Sequence, residues 1–201
     1  MIERQPPGLP PLLVVTDAHQ TAGRALVEVV GEAISGGARA VLLREKDLPH
    51  DVRAELARSL YAQLEAVGGV LLVGSDPTLL AHGVHLAAAD LAPAGTSRLL
   101  GRSCHSRDDV ARAEAEGCSY ATLSPMFASA SKPGYGPALA LSSLYALPLP
   151  TFALGGVDAT NAAECLASGA RGVAVMGAIM RAADPAAVTA DILKAVGAAL
   201  G

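Results

Sequence analysis

Short apolar runs, each closed by a glycine or a polar residue, alternate along this chain with segments in which apolar positions return every three or four residues. The runs are Leu12–Thr16, Ala40–Arg44, Val70–Val73, Gly83–Leu86, a stretch within Arg98–Ser103, Tyr120–Leu123, Thr151–Leu154 and Val173–Met176. Runs so short and so uniformly apolar suit parallel strands covered on both faces. The segments between them predict helices: Thr21 to about Ile34, closed by Gly36-Gly37, and His50 to about Ala66, with Pro49 at its start. A short helix is expected after Asp76-Pro77, another over Arg107–Glu116 closed by Gly117, and one near Leu139–Leu147. After Gly155-Gly156 a further short helix can start at Asp158, Thr160 or Asn161 and end at Gly169, and Gly177 opens another after the last strand.

Apolar strands alternating with helices on short connections imply right-handed parallel crossovers. A doubly wound open sheet would share that alternation. Eight units within 201 residues, with polar residues repeatedly at strand ends, favour a single (β/α)8 TIM barrel whose active site lies at the C-terminal ends of the strands. The proline-punctuated start, residues 1–10, reads as an extended tail, and residues 11–201 as one domain.

Composition narrows the class. Hydrophobic residues make up 51% of the chain and aromatics only 3%, so the core is expected to be aliphatic. A net charge of -4 without a compensating basic face argues against nucleic acid. No apolar run reaches membrane-spanning length, and no secretory signal core is evident. Cys104, Cys118 and Cys165 are odd in number and lack zinc spacing, so buried free thiols in a reducing cytoplasm are expected.

Candidate chemistry collects after the strands. Gly155-Gly156 and Gly177 stand at two successive strand ends. There a missing Cβ lets backbone N–H groups approach an anion, and in a β/α barrel these are the loops that take a phosphate. Arg44 and Lys46, in LLREK, have the period-two spacing that sends both side chains to one face, a paired cationic site for a polyphosphate. Glu45 would point the other way and could hold the loop by an ion pair. Ser129, Ser131 and Lys132 offer two hydroxyls and an ammonium on a loop rich in glycine and proline, a plausible anion cradle or an ordinary surface loop. Asp90, after GVHLAAAD, is an acid placed to share Mg²⁺ with substrate phosphates, or a simple cap. His85 and His105 are read as hydrogen-bonding groups, since no second histidine stands at ligand spacing.

Taken together, LLREK, GVHLAAAD, GRSCHS, the SPMFASASK loop, FALGGV and GVAVMGAI resemble, in order and over nearly the whole chain, the thiamine phosphate synthases and their thiazole tautomerase relatives. The resemblance implies a β/α barrel that joins hydroxymethylpyrimidine diphosphate to thiazole phosphate and releases pyrophosphate with Mg²⁺. It implies that Arg44 and Lys46 bind the pyrimidine diphosphate, that Asp90 binds Mg²⁺, and that Ser103 lies beside the pyrimidine. Ser129, Ser131 and Lys132 stand where the family has a Thr-x-Thr-Lys loop reaching both phosphate groups. Gly155, Gly156, Gly177 and Ala178 would hold the thiazole phosphate. The implied catalytic set is Lys132, Arg44, Lys46 and Ser103, and the implied partners are small phosphate substrates, with a homo-oligomer allowed.

The chain departs from the family pattern at named places. The glutamine before the Arg-x-Lys pair is Leu42, and the Asn-Asp after the third strand is reduced to GSD, leaving Asp76 or Ser75 to replace it at the metal. Both loop threonines are serines, and the serine after the eighth strand is Gly177. GRSCHS is closer to the tautomerase branch, yet that branch's histidine is Pro125 here, as in synthases. Three readings follow: a synthase, a thiazole phosphate tautomerase, and a non-catalytic binder of thiazole or thiamine phosphate.

Overall fold

In the computed structural model, residues 8–93, 98–128 and 137–200 are described. Eight parallel strands close on themselves in sequence order: β1 (Leu12–Val15), β2 (Ala40–Leu43), β3 (Val70–Gly74), β4 (Gly83–Leu86), β5 (Leu99–Cys104), β6 (Tyr120–Leu123), β7 (Thr151–Leu154) and β8 (Gly172–Val175). The helices are α1 (Leu26–Ser35), α2 (His50–Glu65), α3 (Arg107–Ala115), α4 (Ala162–Ala167), α5 (Gly177–Met180) and α6 (Pro185–Leu200). This is the TIM barrel that the alternation predicts.

Alternate residues of each strand separate two apolar regions. Leu13, Val15, Ala40, Leu42, Leu72, Leu99, Tyr120, Phe152 and Ala174 fill the barrel interior. Val14, Val41, Leu43, Leu71, Val73 and Val173 face the helix layer. Pairing of Val15 with Leu42, and of Leu42 with Leu72, places these inward residues in one layer. Leu42 is thus a filling residue under the mouth. Leu9, expected in the N-terminal tail, is buried with the interior cluster, and its carbonyl accepts from Arg171. The three cysteines are buried thiols, each with its pKa raised by burial. Among the described residues no helix is long and apolar enough to cross a membrane.

Three expected helices differ, the first two because side chains bond locally to the backbone. The helix expected from Thr21 is replaced at its start by a 3-10 turn at Ala18–Gln20, and α1 begins only at Leu26. The Thr21 hydroxyl lies within hydrogen-bond distance of the Ala18 and Arg24 carbonyls and holds that turn. No helix forms after Asp76-Pro77, because the Asp76 carboxylate accepts from the amide and hydroxyl of Thr78 in a tight turn. The helix expected near Leu139–Leu147 shrinks to a 3-10 turn at Leu141–Leu144. The connection from β3 to β4 is therefore a short loop that keeps Ser75 at the barrel mouth.

Candidate active site

The C-terminal mouth of the barrel has two chemically different arcs. Over β2 to β5 the arc is polar and charged. The Arg44 amide donates to the Thr16 hydroxyl at 2.9 Å, tying the end of β2 to β1. Arg44 is half-buried and Lys46 exposed, while Glu45 between them is buried. Its Oε2 accepts from the Ala18 amide at 3.1 Å, so the contact is to backbone rather than the expected ion pair.

Asp90 lies on the loop after β4. Its Oδ2 accepts from the Ser75 hydroxyl at 2.6 Å and from the Ala87 amide at 2.7 Å. Partial burial pushes its pKa up, but these two donors and the charges of Lys46 and Arg102 outweigh that and hold the carboxyl below its ordinary value. It is therefore an anion at neutral pH. Ser75 is the member of the GSD turn that meets Asp90. Asp76 instead pairs with His50 and Arg53, each at 3.1 Å.

Beneath this arc, His85 is buried and uses both ring nitrogens. Nδ1 is 2.9 Å from the Tyr120 hydroxyl and Nε2 is 3.0 Å from the Ser103 hydroxyl. Burial, then the charges of Arg44, Lys46 and Arg102, lower its pKa from 6.5 to about 3, so the ring is neutral. A buried phenol keeps its proton, and the Tyr120 pKa is raised well above the ordinary value by burial. In the tautomer in which Tyr120 donates to Nδ1, Nε2–H donates to Ser103, and the Ser103 proton is left to donate into the mouth.

Sequence reasoning missed Arg102. This residue of β5 is buried, and its Nη1 donates to the carbonyls of Ala87, Ala88 and Asp90 at 3.1, 3.2 and 2.9 Å. Glu116 stands 2.7 Å from its Nη2. One side chain thus fixes the loop that carries Asp90.

Over β7 and β8 the arc is backbone. Gly155 and Gly156 have φ of +94° and +65°, conformations in which an L side chain is strained. A Cβ on Gly156 would run into the Ala128 carbonyl and stand 2.8 Å from Phe127 Cβ. Asn161, offered by the sequence as a helix start, occupies the cap position of α4 but turns its side chain back. Its Oδ1 accepts from Asp158 N–H and its Nδ2 donates to the Gly156 carbonyl, both at 3.0 Å. The turn is thereby held from both sides. Gly155, Gly156, Gly177 and Ala178 border one cavity of about 200 Å³, together with Asp158 and Arg181. Arg181 has no place in the sequence reading. Its signal there is faint, a cation one helical turn after Gly177.

Ser129, Ser131 and Lys132 lie outside the described residues. Among the described residues no cluster of three or more His, Cys, Asp or Glu side chains could hold a metal by itself. Asp90 nevertheless suits Mg²⁺, a hard cation that is commonly held by one carboxylate plus substrate phosphates and water.

A sequence profile of the family described as thiamine monophosphate synthase matches residues 12–179. A putative thiamine-phosphate synthase of Geobacter sulfurreducens is 39% identical over 188 residues, 87% of this chain and 88% of that protein. A thiamine-phosphate synthase of Roseiflexus castenholzii is 35% identical over 92% of this chain and 87% of its own length. Among solved structures, thiamine phosphate pyrophosphorylase from Pyrococcus furiosus superposes with a TM-score of 0.84 at 27% identity, covering 94% of this chain and 96% of that one.

Proposed function

The chain belongs to the thiamine monophosphate synthase family, and from that premise we propose how its barrel mouth divides the synthase reaction between its two arcs. The activity is that of a transferase in thiamine biosynthesis acting on small phosphate substrates. The bond between the pyrimidine methylene and the diphosphate oxygen breaks, the thiazole nitrogen bonds to that methylene, and pyrophosphate leaves. The observation that carries the assignment is the pairing, on one mouth, of an ionised Asp90 under the influence of Lys46 with a separate cavity bordered by two glycine turns.

Arg44 and Lys46 are assigned to the diphosphate. Asp90 would hold Mg²⁺ with Ser75 beside it, and that cation would neutralise charge on the leaving diphosphate. Lys132, with Ser129 and Ser131, is assigned from sequence to the same leaving group. Negative charge grows on the departing oxygen while positive charge grows on the methylene, so cations already in place there favour the transition state over the ground state. Ser103, oriented by His85, donates to the pyrimidine ring. Gly155, Gly156, Gly177 and Ala178 seat the thiazole phosphate, which keeps its charge throughout, through backbone N–H groups. The tautomerase reading needs a proton-transfer group. His85 does not suit one, its pKa being lowered to about 3 and both its nitrogens engaged.

The test is pyrophosphate release and thiamine phosphate formation from both substrates, with and without Mg²⁺. Mg²⁺-dependent turnover supports the reading. Proton exchange on thiazole phosphate alone, without pyrophosphate release, would replace it with the tautomerase.

A further inference from the structure

The cavity at the glycine turns holds a problem of charge. A phosphate monoester carries close to two negative charges near neutral pH, and the two helices that start beside this cavity are short. α5 spans 4 residues and α4 spans 6, so neither develops much of a macrodipole. Backbone N–H groups provide geometry but no net charge. Among the described residues bordering the cavity the charged ones are Asp158 and Arg181. Asp158 is turned into its own loop, where Oδ1 accepts from the Thr160 amide at 2.8 Å and from its hydroxyl at 2.6 Å.

Arg181 faces the other way. A Cβ placed on Gly177 would meet only this guanidinium among its nearest neighbours, with Nη2 at 2.7 Å and Cζ at 2.8 Å. The guanidinium therefore fills the volume that any side chain at position 177 would occupy, directly over the turn after β8. It is held there across the seam of the barrel: Nη1 donates to Gln20 Oε1, and Gln20 Nε2 donates to Asp17 Oδ2 at 2.5 Å. Asp17, just after β1, also caps the 3-10 turn that carries Gln20. The β1 loop thus aims a cation from the end of α5 at the cavity.

From this geometry we infer that Arg181 is a charged ligand of the monophosphate subsite, and that the absence of a side chain at Gly177 is what admits it. The inference rests on the reading of that cavity as the thiazole phosphate site. A guanidinium matches two phosphate oxygens at once, and its bond to Gln20 limits the rotamer entropy lost on binding. Its consequence is selectivity: Arg181 makes the site prefer the phosphate monoester of the thiazole over the unphosphorylated alcohol.

Calorimetric titration of the full chain with thiazole phosphate, inorganic phosphate and the thiazole alcohol tests this. Arg181→Ala should weaken both phosphate ligands by about ten- to a hundredfold, the scale of one charge-assisted hydrogen-bonded pair, and leave the alcohol and the KM for the pyrimidine diphosphate unchanged. Arg181→Lys should recover part of the loss. Gly177→Ala should weaken phosphate in the native background, because its Cβ displaces the guanidinium, and should add no further loss to Arg181→Ala. Unchanged phosphate affinity in Arg181→Ala, or additive losses in the double variant, would overturn the role of Arg181 while leaving the subsite standing. Failure of the unsubstituted protein to bind either phosphate would bring down the subsite reading and this inference with it.

Discussion

Over β2 to β5 the barrel mouth carries its charge on side chains, whereas over β7 and β8 it is built mainly from backbone. The first arc is heavily buttressed. Asp90 is fixed by Ser75 and Ala87, its loop by Arg102, and Ser103 by His85 and Tyr120. The second arc relies on positive φ at Gly155 and Gly156, with Asn161 bracing the turn. The difference follows from what each arc is proposed to hold. A leaving diphosphate changes charge during the reaction, and preorganised full charges reward that change. A phosphate that only anchors its substrate is bound equally before and during the reaction, so a rigid cradle with one cation beside it serves.

Variants in the two arcs should therefore fail differently. The largest effect is expected at the groups assigned to the leaving diphosphate: Lys132→Ala or Asp90→Asn should lower kcat about a hundredfold or more, the scale of one lost charge-stabilising group. Asp90→Asn should also raise the Mg²⁺ concentration for half-maximal rate. Pyrophosphate release at saturating substrates measures both, and an unaltered kcat would erase the distinction between the arcs.

Gly156→Val tests the cradle but is expected to damage the fold as well, since its Cβ meets the Ala128 carbonyl at a φ of +65°. A loss of about 2–3 kcal/mol in urea unfolding is expected from strain and overpacking. An unchanged midpoint would mean that the loop after β6 yields freely.

His85 ties the first arc to pH. Its folded pKa is lowered to about 3 from 6.5, so as pH falls below 6.5 the unfolded chain takes a proton that the folded chain refuses. Stability contributed by the neutral ring is complete above 6.5 and is lost by about 1.4 kcal/mol per unit below it, hence about 2 kcal/mol between pH 6.5 and pH 5. The carboxylates with lowered pKa, Asp76, Asp90 and Asp109, titrate below 3.8 and act only in stronger acid. His85→Gln should flatten the slope between pH 6.5 and pH 5 in denaturant melts. An equal slope in both proteins would place the acid sensitivity elsewhere. The smallest effect is expected from Asn161→Ala, which frees the Gly156 turn: KM for thiazole phosphate should rise about fivefold, near the value of one hydrogen bond, with kcat unchanged.

Much of the barrel is legible in the chain itself. β4, β6 and β7 coincide with their apolar runs, β1, β2 and β3 differ by a residue at one end, and β5 and β8 are shifted by one residue. A strand covered on both faces must be apolar throughout and must stop where polarity begins, so its limits are written locally. Gly169, expected as a left-handed cap, has φ +108° just after α4. The starts of α2, α3 and α5 fall where expected, at His50, Arg107 and Gly177, whereas Thr21 and Asp76 start no helix because each had a local backbone partner available. Whether such a side chain caps a helix or holds a turn depends on what the neighbouring loop leaves unpaired.

The sequence by itself determined the alternation, the barrel, the glycine turns at the last two strands and the types of charge available to the mouth, because each depends on residues near one another in the chain. Tertiary structure alone decided the partnerships. Ser75 rather than Asp76 meets Asp90, across 15 positions, since the turn at Thr78 and the α2 side chains His50 and Arg53 claim the aspartate. His85 reaches Ser103 and Tyr120 because closure of the barrel sets three strands side by side. Arg181 lies over Gly177 because Gln20, 161 positions away, is brought against it where β8 meets β1. A rotamer fixed by a residue that distant leaves no periodic trace in sequence, and only closure of the ring of strands creates it.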